Sequence, residues 1–276
     1  MPGSQDFTSQ PAELSAERLR HLERENRLLA RKLARIDSNV RQMEEMQDAT
    51  SKLLSGLTHQ LEEERTRSQA LLLNILPQAI IDRLESGEKV IADRHPDVTV
   101  LFSDLVGFTE ISARMEPGQL VADLNVLFSR FDALCERCGV EKIKTIGDAY
   151  MAVGGLPGGR PDHAAAVAEL ALGMGAALEE VNAIGDRRWE IRIGVHSGPA
   201  VAGVIGTRKF VFDVWGDTVN VASRLEASAK PGQIHVSEVV ARSLRGTFEL
   251  ETLGLAALKG KGAVPAYGLL GRAEPA

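Results

Sequence analysis

Two aspartates have the setting of metal-binding groups. Asp104 closes the run VTVLFSD, and Asp148 follows KTIG. Each stands at the end of an apolar, β-branched segment, where a carboxylate meets buried surface and is costly to hold charged unless a cation or several donors compensate it. Two such carboxylates on adjacent strands suit a pair of divalent ions about 3.5–4 Å apart, the arrangement used for in-line displacement at phosphorus. Spacing alone leaves the plainer alternative open, that each is a strand-end Asp making a turn.

A second group lies in FDVWGDTVNVASRLE. Asp213 ends a predicted strand, Gly216 permits a turn, and Asn220 and Arg224 stand at i and i+4 on one face of the helix that follows. Small residues flank Arg224 and leave room for a ligand, although a capped amphipathic helix without one fits the same residues. Three other features carry less. Cys135 and Cys138 form a C-x-x-C on a predicted helix with no second ligand pair, so packing or free thiols are expected rather than zinc. His196, in IGVHSG, has no partner in the nearby motifs and reads as structural. GGLPGGR at 154–160 lacks the Lys-Ser/Thr of a P-loop and reads as a mobile loop.

The elements that must position these residues fall in two parts. Of 26 glycines only Gly3 and Gly56 precede residue 76, and no proline lies between Pro11 and Pro77. Such a stretch, rich in Leu, Glu, Arg and Gln, predicts one long helix. Stepping alternately by three and four from Leu19 to Ile75 meets 17 positions, of which 12 are apolar, among them Leu22, Leu29, Leu33, Ile36, Leu54, Leu57 and Leu61. A seven-residue repeat sustained this long specifies a left-handed coiled coil, and Asn26 at an a position favours a parallel, in-register pair. Gln47, Thr50, Glu64 and Ser68 weaken the seam, which predicts modest stability. Ile80, Ile81 and Leu84 predict a short helix between Pro77 and Gly87.

From Val98 onward strand-like and helix-like segments alternate. VTVLFSDL, VEKIKTIG and DAYMAVGG read as strands around a helix over 116–138, with Leu120, Leu124, Leu127, Phe128, Phe131 and Leu134 along one face. A second helix follows at PDHAAAVAELALGMGAALEEV. Three strands are expected in WEIRIGVHSG, PAVAGVIG and RKFVFDVW, then the helix DTVNVASRLEASA, the strand IHVS, and a short helix with Ser237 as N-cap. The domain organisation is therefore a disordered 1–13, a dimeric coil over 14–75, a helical connector over 76–97 and a globular domain over 98–272.

At 276 residues, 44% hydrophobic and 25% charged, the chain has material for a sizeable core. A net charge of −6 argues against binding nucleic acid through its phosphates. Two cysteines make no disulfide framework, no apolar run reaches the length of a membrane span, and the N-terminus lacks a signal-peptide layout. The expectation is a cytoplasmic protein, or the cytosolic part of something longer that carries an upstream sensor or membrane domain.

FSDLVGFTEIS, KIKTIGDAYMAVGGLP, FDVWGDTVNVASRLE and LKGKG, in this order, closely resemble the signatures of class III nucleotidyl cyclases, the adenylyl and guanylyl cyclase family. The resemblance covers roughly residues 98–270, and the segment LLLNILPQAIIDRLESGE resembles the helical stretch that precedes the domain in bacterial members. It implies an α+β fold with a ferredoxin-like, palm-like βαββαβ core behind a long parallel coiled-coil helix. It implies two Mg²⁺ (or Mn²⁺) ions on Asp104 and Asp148, with the backbone carbonyl of Leu105 as a further ligand. Gly107, Phe108 and Thr109 would lay backbone amides against a triphosphate, as glycine-containing turns do. Lys144 and Asp213 fall on the purine-reading positions, Asn220 and Arg224 on the pair that orients the ribose and stabilises the transition state, and Arg208 and Lys259 on the cations for the β- and γ-phosphates. Lys261 is a second choice for the last of these.

The purine pair has its own logic. Lysine offers donors only and an ionised aspartate acceptors only, so Lys144 toward N1 and Asp213 toward N6 suits adenine. Guanylyl members of the family typically carry Glu and Cys there. The family builds its active site between two domains packed head to tail, with metals on one and base and ribose contacts on the other. Both sets occur in this sequence, so a homodimer would hold two complete sites, with the coil raising the effective concentration of the two domains. The expected activity is conversion of ATP to 3′,5′-cyclic AMP and pyrophosphate. A guanylyl or dual-specificity cyclase and a silent nucleotide-binding dimerisation module are the alternatives. A diguanylate cyclase is excluded by the missing GG[DE]EF turn. Replacing Asn26→Leu is expected to change the oligomeric state in light scattering or to change activity; if neither moves, the coil is a tether only.

Overall fold

The computed structural model describes residues 10–73, 75–156, 158–184, 188–206, 209–258 and 260–274, and the chain divides into two compact units, Met1–Leu71 and Leu72–Ala276. The first is dominated by α1 (Gln10–Leu73), one uninterrupted helix of 64 residues. At 1.5 Å per residue it is about 96 Å long. Leu19, Leu29, Leu33, Ile36, Leu54, Leu57 and Leu61, the predicted seam, are all exposed on the single chain. No described helix is long and apolar enough to cross a membrane.

In the second unit, α2 (Gln78–Glu85) begins directly after Pro77, whose fixed φ suits a helix start. Leu76, Ile80 and Ile81 are buried in one apolar cluster with Ile91, Val98, Met151 and Phe212, so this short helix is part of the core. Then follow β1 (Ala92–Leu105), α3 (Phe108–Ser112), α4 (Pro117–Cys138), β2 (Glu141–Ile146), β3 (Ala149–Gly154), α5 (His163–Ile184), β4 (Ile191–Ile205) and β5 (Val211–Trp215). The chain ends with α6 (Asp217–Ser228), β6 (Ile234–Ser237), α7 (Glu238–Leu244), β7 (Phe248–Leu258) and β8 (Gly262–Arg272).

The strands form one eight-stranded sheet in the order β2-β3-β1-β4-β6-β8-β7, with β5 paired to β4 beside that path. The antiparallel order β2-β3-β1-β4, linked by α4 and α5, is the expected βαββαβ core. Both faces of β1 are covered, which explains its unbroken apolar run. Leu101 and Leu105 pack with Leu127 and Phe131 of α4 and Leu170 and Met174 of α5, whereas Val98 and Val100 face α2, β5 and Ala222 of α6. A buried polar cluster adds direction: the Thr99 hydroxyl lies 2.6 Å from both His163 Nδ1 and Ser197 Oγ, tying α5 to the sheet.

The structure departs from expectation at five places. β1 starts at Ala92, six residues before its apolar run, because 92–95 pair with 200–203 of β4 beyond a register shift between His95 and Val98. β4 is one strand of 15 residues rather than two, since Pro199 falls at that irregularity, where its missing donor removes no ladder bond. The β7–β8 hairpin was not anticipated, its alternation being blurred by Gly254, Pro265 and Gly268. Ser237 takes the N-cap position of α7 without capping it; its hydroxyl lies 2.8 Å from His196 Nδ1 instead, which gives His196 the structural role expected. In the segment expected to be a loop after β3, Leu156 is buried and Arg160 donates to the Cys138 carbonyl at 2.8 Å, two anchors that the glycine-rich sequence did not announce.

One contact limits how α6 is seated. A β-carbon at Gly194 of β4 would lie 2.1 Å from the Glu226 amide nitrogen and 2.3 Å from the Ala222 carbonyl, both backbone atoms. Helix and strand therefore meet backbone to backbone, as only glycine allows. Gly194→Ala is expected to cost about 3 kcal/mol by overpacking. That would lower the melting temperature of the second unit by about 6–12 °C in a calorimetric scan.

Candidate active site

Asp104 is the penultimate residue of β1, and Asp148 lies in the turn joining β2 to β3, the strand that pairs with β1. The turn brings the two carboxyls close enough for their charges to interact. Burial first, then the charge of Asp104 and the shared hydrogen bond with it, raise Asp148 above the ordinary carboxylate range, while its own backbone amide and that of Leu105 pull the other way. The Leu105 side chain is buried in the core, and its main-chain amide is turned to Asp148.

Two groups here had no signal in the sequence. Arg192 of β4 sits directly across the ladder from Asp104, and its Nη2 donates to Asp104 Oδ2 at 2.7 Å. Its Nε lies 2.5 Å from Oε1 of Glu226 on α6. These last two atoms are buried and close, yet not aligned for a hydrogen bond, so charge and packing hold them. Burial alone would depress the Arg192 pKa; the hydrogen bond with Asp104 and the charges of Glu226 and Asp104 outweigh it and leave the guanidinium more firmly protonated. Glu226, only 8% exposed, is pushed up to about 7, chiefly by burial, against the pull of Arg192. Arg192 in WEIRIG and Glu226 in SRLEAS look like ordinary polar positions, and only the fold pairs them.

After Asp104 the chain turns at Gly107, whose φ of +70° requires a left-handed residue, into the five-residue α3. Amides in the first turn of a helix have no intrahelical acceptor, which leaves those of Phe108 and Thr109 free to bind a ligand. Phe108 stacks on Trp189 with centroids 6.2 Å apart, which fixes the turn against the strand edge.

The other candidate residues gather around β5 and α6. Lys144 of β2 and Asp213 of β5, 69 residues apart, meet with Nζ 2.5 Å from Oδ2. The second Asp213 oxygen accepts the Val214 amide at 2.8 Å, which orients the carboxylate. On α6, Ala222, Leu225 and Glu226 face inward, whereas Asn220 is exposed and Arg224 half-exposed. Neither of the last two side chains makes a hydrogen bond or ion pair among the described residues. The Arg224 guanidinium approaches Gly260, in the turn between β7 and β8. From that turn Lys261 reaches Asp217 Oδ2 at 2.6 Å. Arg208 and Lys259 lie outside the described residues. Cys135 and Cys138 are free thiols, as expected, and Cys135 is buried against the Tyr150 hydroxyl at 3.3 Å. A cavity of about 640 Å³ lined by Leu76, Cys135, Lys142 and Phe212 contains none of the candidate residues.

The donor set suits hard divalent cations. Two carboxylates and a backbone oxygen are oxygen-only ligands, the preference of Mg²⁺ and Mn²⁺. Burial first, and then the neighbouring Asp104 charge, make a bare Asp148 carboxylate unfavourable, and a cation between the two carboxyls would relieve both.

Comparison with known proteins agrees with this geometry. The family model for the adenylate and guanylate cyclase catalytic domain matches residues 90–271. An adenylate cyclase of Mycobacterium tuberculosis is 45% identical over 213 residues, covering 77% of this chain and 48% of that protein. The human atrial natriuretic peptide receptor 2 is 41% identical over 244 residues, 86% of this chain but 23% of the receptor. The chain thus spans about half the length, or less, of these curated relatives. Among solved structures, the guanylate cyclase domain of RhGC from Catenaria anguillulae in complex with GTP superimposes with a TM-score of 0.63 at 38% identity, covering 66% of this chain and all of that domain. With a sheet of this order, a paired carboxylate site and matches of this extent, the chain belongs to the class III adenylyl and guanylyl cyclase family.

Proposed function

We propose that this protein cyclises ATP to 3′,5′-cyclic AMP and pyrophosphate as a homodimer. The observation that carries the choice of ATP is the contact between Lys144 and Asp213 at 2.5 Å. A donor-only and an acceptor-only side chain held next to each other match the adjacent N1 acceptor and N6 donor of adenine. Guanine presents the opposite polarity at both atoms and would leave both side chains unpaired, a penalty of several kcal/mol.

The dimer reading rests on how the groups are distributed. Asp104 and Asp148 form one cluster and Lys144 with Asp213 another, and no described hydrogen bond or ion pair joins either to Asn220 or Arg224. Two copies packed head to tail would bring the carboxylate pair of one against the base and ribose contacts of its partner. The exposed apolar seam of α1 supports a parallel coil that keeps the two copies together.

In the reaction the ribose 3′-oxygen attacks the α-phosphorus and pyrophosphate leaves in line. Lys144 and Asp213 hold the base and so fix the distance from ribose to phosphorus. Asn220 orients the ribose, and Arg224 places its charge against the equatorial oxygens of the transition state. The Gly107–Thr109 amides, with Arg208 and Lys259, bind the phosphates. Asp104 and Asp148, with the Leu105 carbonyl, would hold the divalent cations. When bound, two such ions supply charge neutralisation along the phosphates and a lowered pKa for the 3′-hydroxyl. No side chain is needed as general base on this reading.

A second reading is favoured by the similarity to a domain solved with GTP, at 38% identity: a cyclase that accepts guanine as well. Cyclic nucleotide formation from ATP and from GTP, with Mg²⁺ or Mn²⁺ and across a dilution series, separates the two. Cyclic AMP is expected as main product, with specific activity falling on dilution and at least about 100-fold lower in Asp104→Asn. The double variant Lys144→Glu, Asp213→Cys is expected to shift preference toward GTP. Cyclic GMP as main product of the unaltered protein would overturn the purine argument, and no product at all would favour a silent dimerisation module.

A further inference from the structure

Three carboxyl groups surround one guanidinium in the catalytic unit. Arg192 reaches Asp104 through Nη2 at 2.7 Å and Glu226 through Nε at 2.5 Å, and the Asp148 carboxyl lies close enough to Asp104 to feel its charge. With all ionised, the group carries two more negative charges than positive. The two anchors of Arg192 differ in kind. Asp104 lies across the β1–β4 ladder and is half-exposed, at the place where metal would bind. Glu226 is buried on α6, and its position is fixed because α6 touches β4 backbone to backbone at Gly194, two residues from Arg192.

A cation arriving at Asp104 and a guanidinium already paired with it repel one another. Arg192 must then give up Asp104, and in a half-buried setting an unpaired guanidinium is costly. Glu226 removes that difficulty, being already in contact with the opposite side of the same side chain. Arg192 is thus held between two carboxylates, through Nη2 on the Asp104 side and Nε on the Glu226 side, and keeps the second when the first is taken by a cation.

We propose that Glu226 is a positioning residue for metal entry: Arg192 neutralises Asp104 in the metal-free protein and shifts its charge onto Glu226 when divalent cations occupy the carboxylate pair. This rests on the reading of Asp104 and Asp148 as metal ligands. Glu226 itself touches neither metal nor substrate; it acts by keeping Arg192 from competing for Asp104. Loss of its charge leaves Asp104 as the sole anion for Arg192 and makes metal displace a tighter pair.

The test is direct Mn²⁺ binding at pH 8, read from the paramagnetic resonance signal of free Mn²⁺ as the ion is titrated into metal-free full-length protein. Glu226→Gln keeps size and removes charge, and is expected to raise the half-saturating Mn²⁺ concentration about 10-fold, the scale on which groups behind metal ligands act. In an Arg192→Gln background the same change is expected to shift it by less than about 2-fold, since Glu226 then has nothing to hold. An equal shift in both backgrounds overturns the proposal in favour of simple through-space charge. No shift in either, with a lowered melting temperature, overturns it in favour of a purely structural ion pair. Binding insensitive to Asp104→Asn would instead overturn the metal reading on which the proposal stands, so the two failures are distinct.

Discussion

Two carboxylates brought together at the end of a sheet repel each other, and much of the catalytic unit is arranged around that repulsion. Asp104 ends β1 and Asp148 sits in the turn leading into β3, its antiparallel neighbour, and apolar residues on both faces set the register of the two strands. The hydrophobic core, not any local preference, holds the charges close. Arg192 lies directly opposite Asp104 on the other neighbouring strand and sets a positive charge against it. Asp148 has no such partner among the described residues, and burial together with the Asp104 charge raises its pKa.

α6 shows how one short helix serves two purposes. Its inward positions, Ala222, Leu225 and Glu226, follow the spacing of a helix face and are buried on β4 and its neighbours. Its other positions present Asn220 and Arg224 outward, unpartnered among the described residues. Close seating at Gly194 makes both sides precise: a helix that cannot slide holds its outward side chains in register as firmly as its inward ones. The i, i+4 spacing of Asn220 and Arg224 is thus a consequence of the same geometry that fixes Glu226 against Arg192.

Local signals in the sequence were legible where the physics is local. The heptads of α1, the apolar face of α4 and the apolar runs of β1 and β3 each report their own element through periodicity. The candidate residues in FSDLVGFT, KIKTIGDAY and DTVNVASR could be singled out because each motif is contiguous. Elements and partners set by tertiary structure were not legible. Pro199 looks like a strand end until its place at a register shift is known, and Ser237 looks like a helix cap until His196 is seen to engage it. Arg192 and Glu226 are 34 residues apart in sequence, and no pattern in either segment points to the other. Strand β7 alternates too weakly to be recognised, because its exposed positions include Leu255 and its packing comes from β8.

The pairing of Lys144 with Asp213 bears on how a purine would be chosen. In the free chain the two side chains satisfy each other, half-buried, with the carboxylate further held by the Val214 amide. A base entering between them must replace that ion pair, so its edge is judged against a strong existing contact rather than against water. An adenine edge restores one hydrogen bond to each partner, and the exchange is nearly balanced. A guanine edge directs its N1–H toward the lysine and its O6 toward the carboxylate, so it breaks the pair and satisfies neither member. Separating Lys144 from Asp213 is required of either base, so discrimination on this reading comes from what each edge gives back to the two side chains.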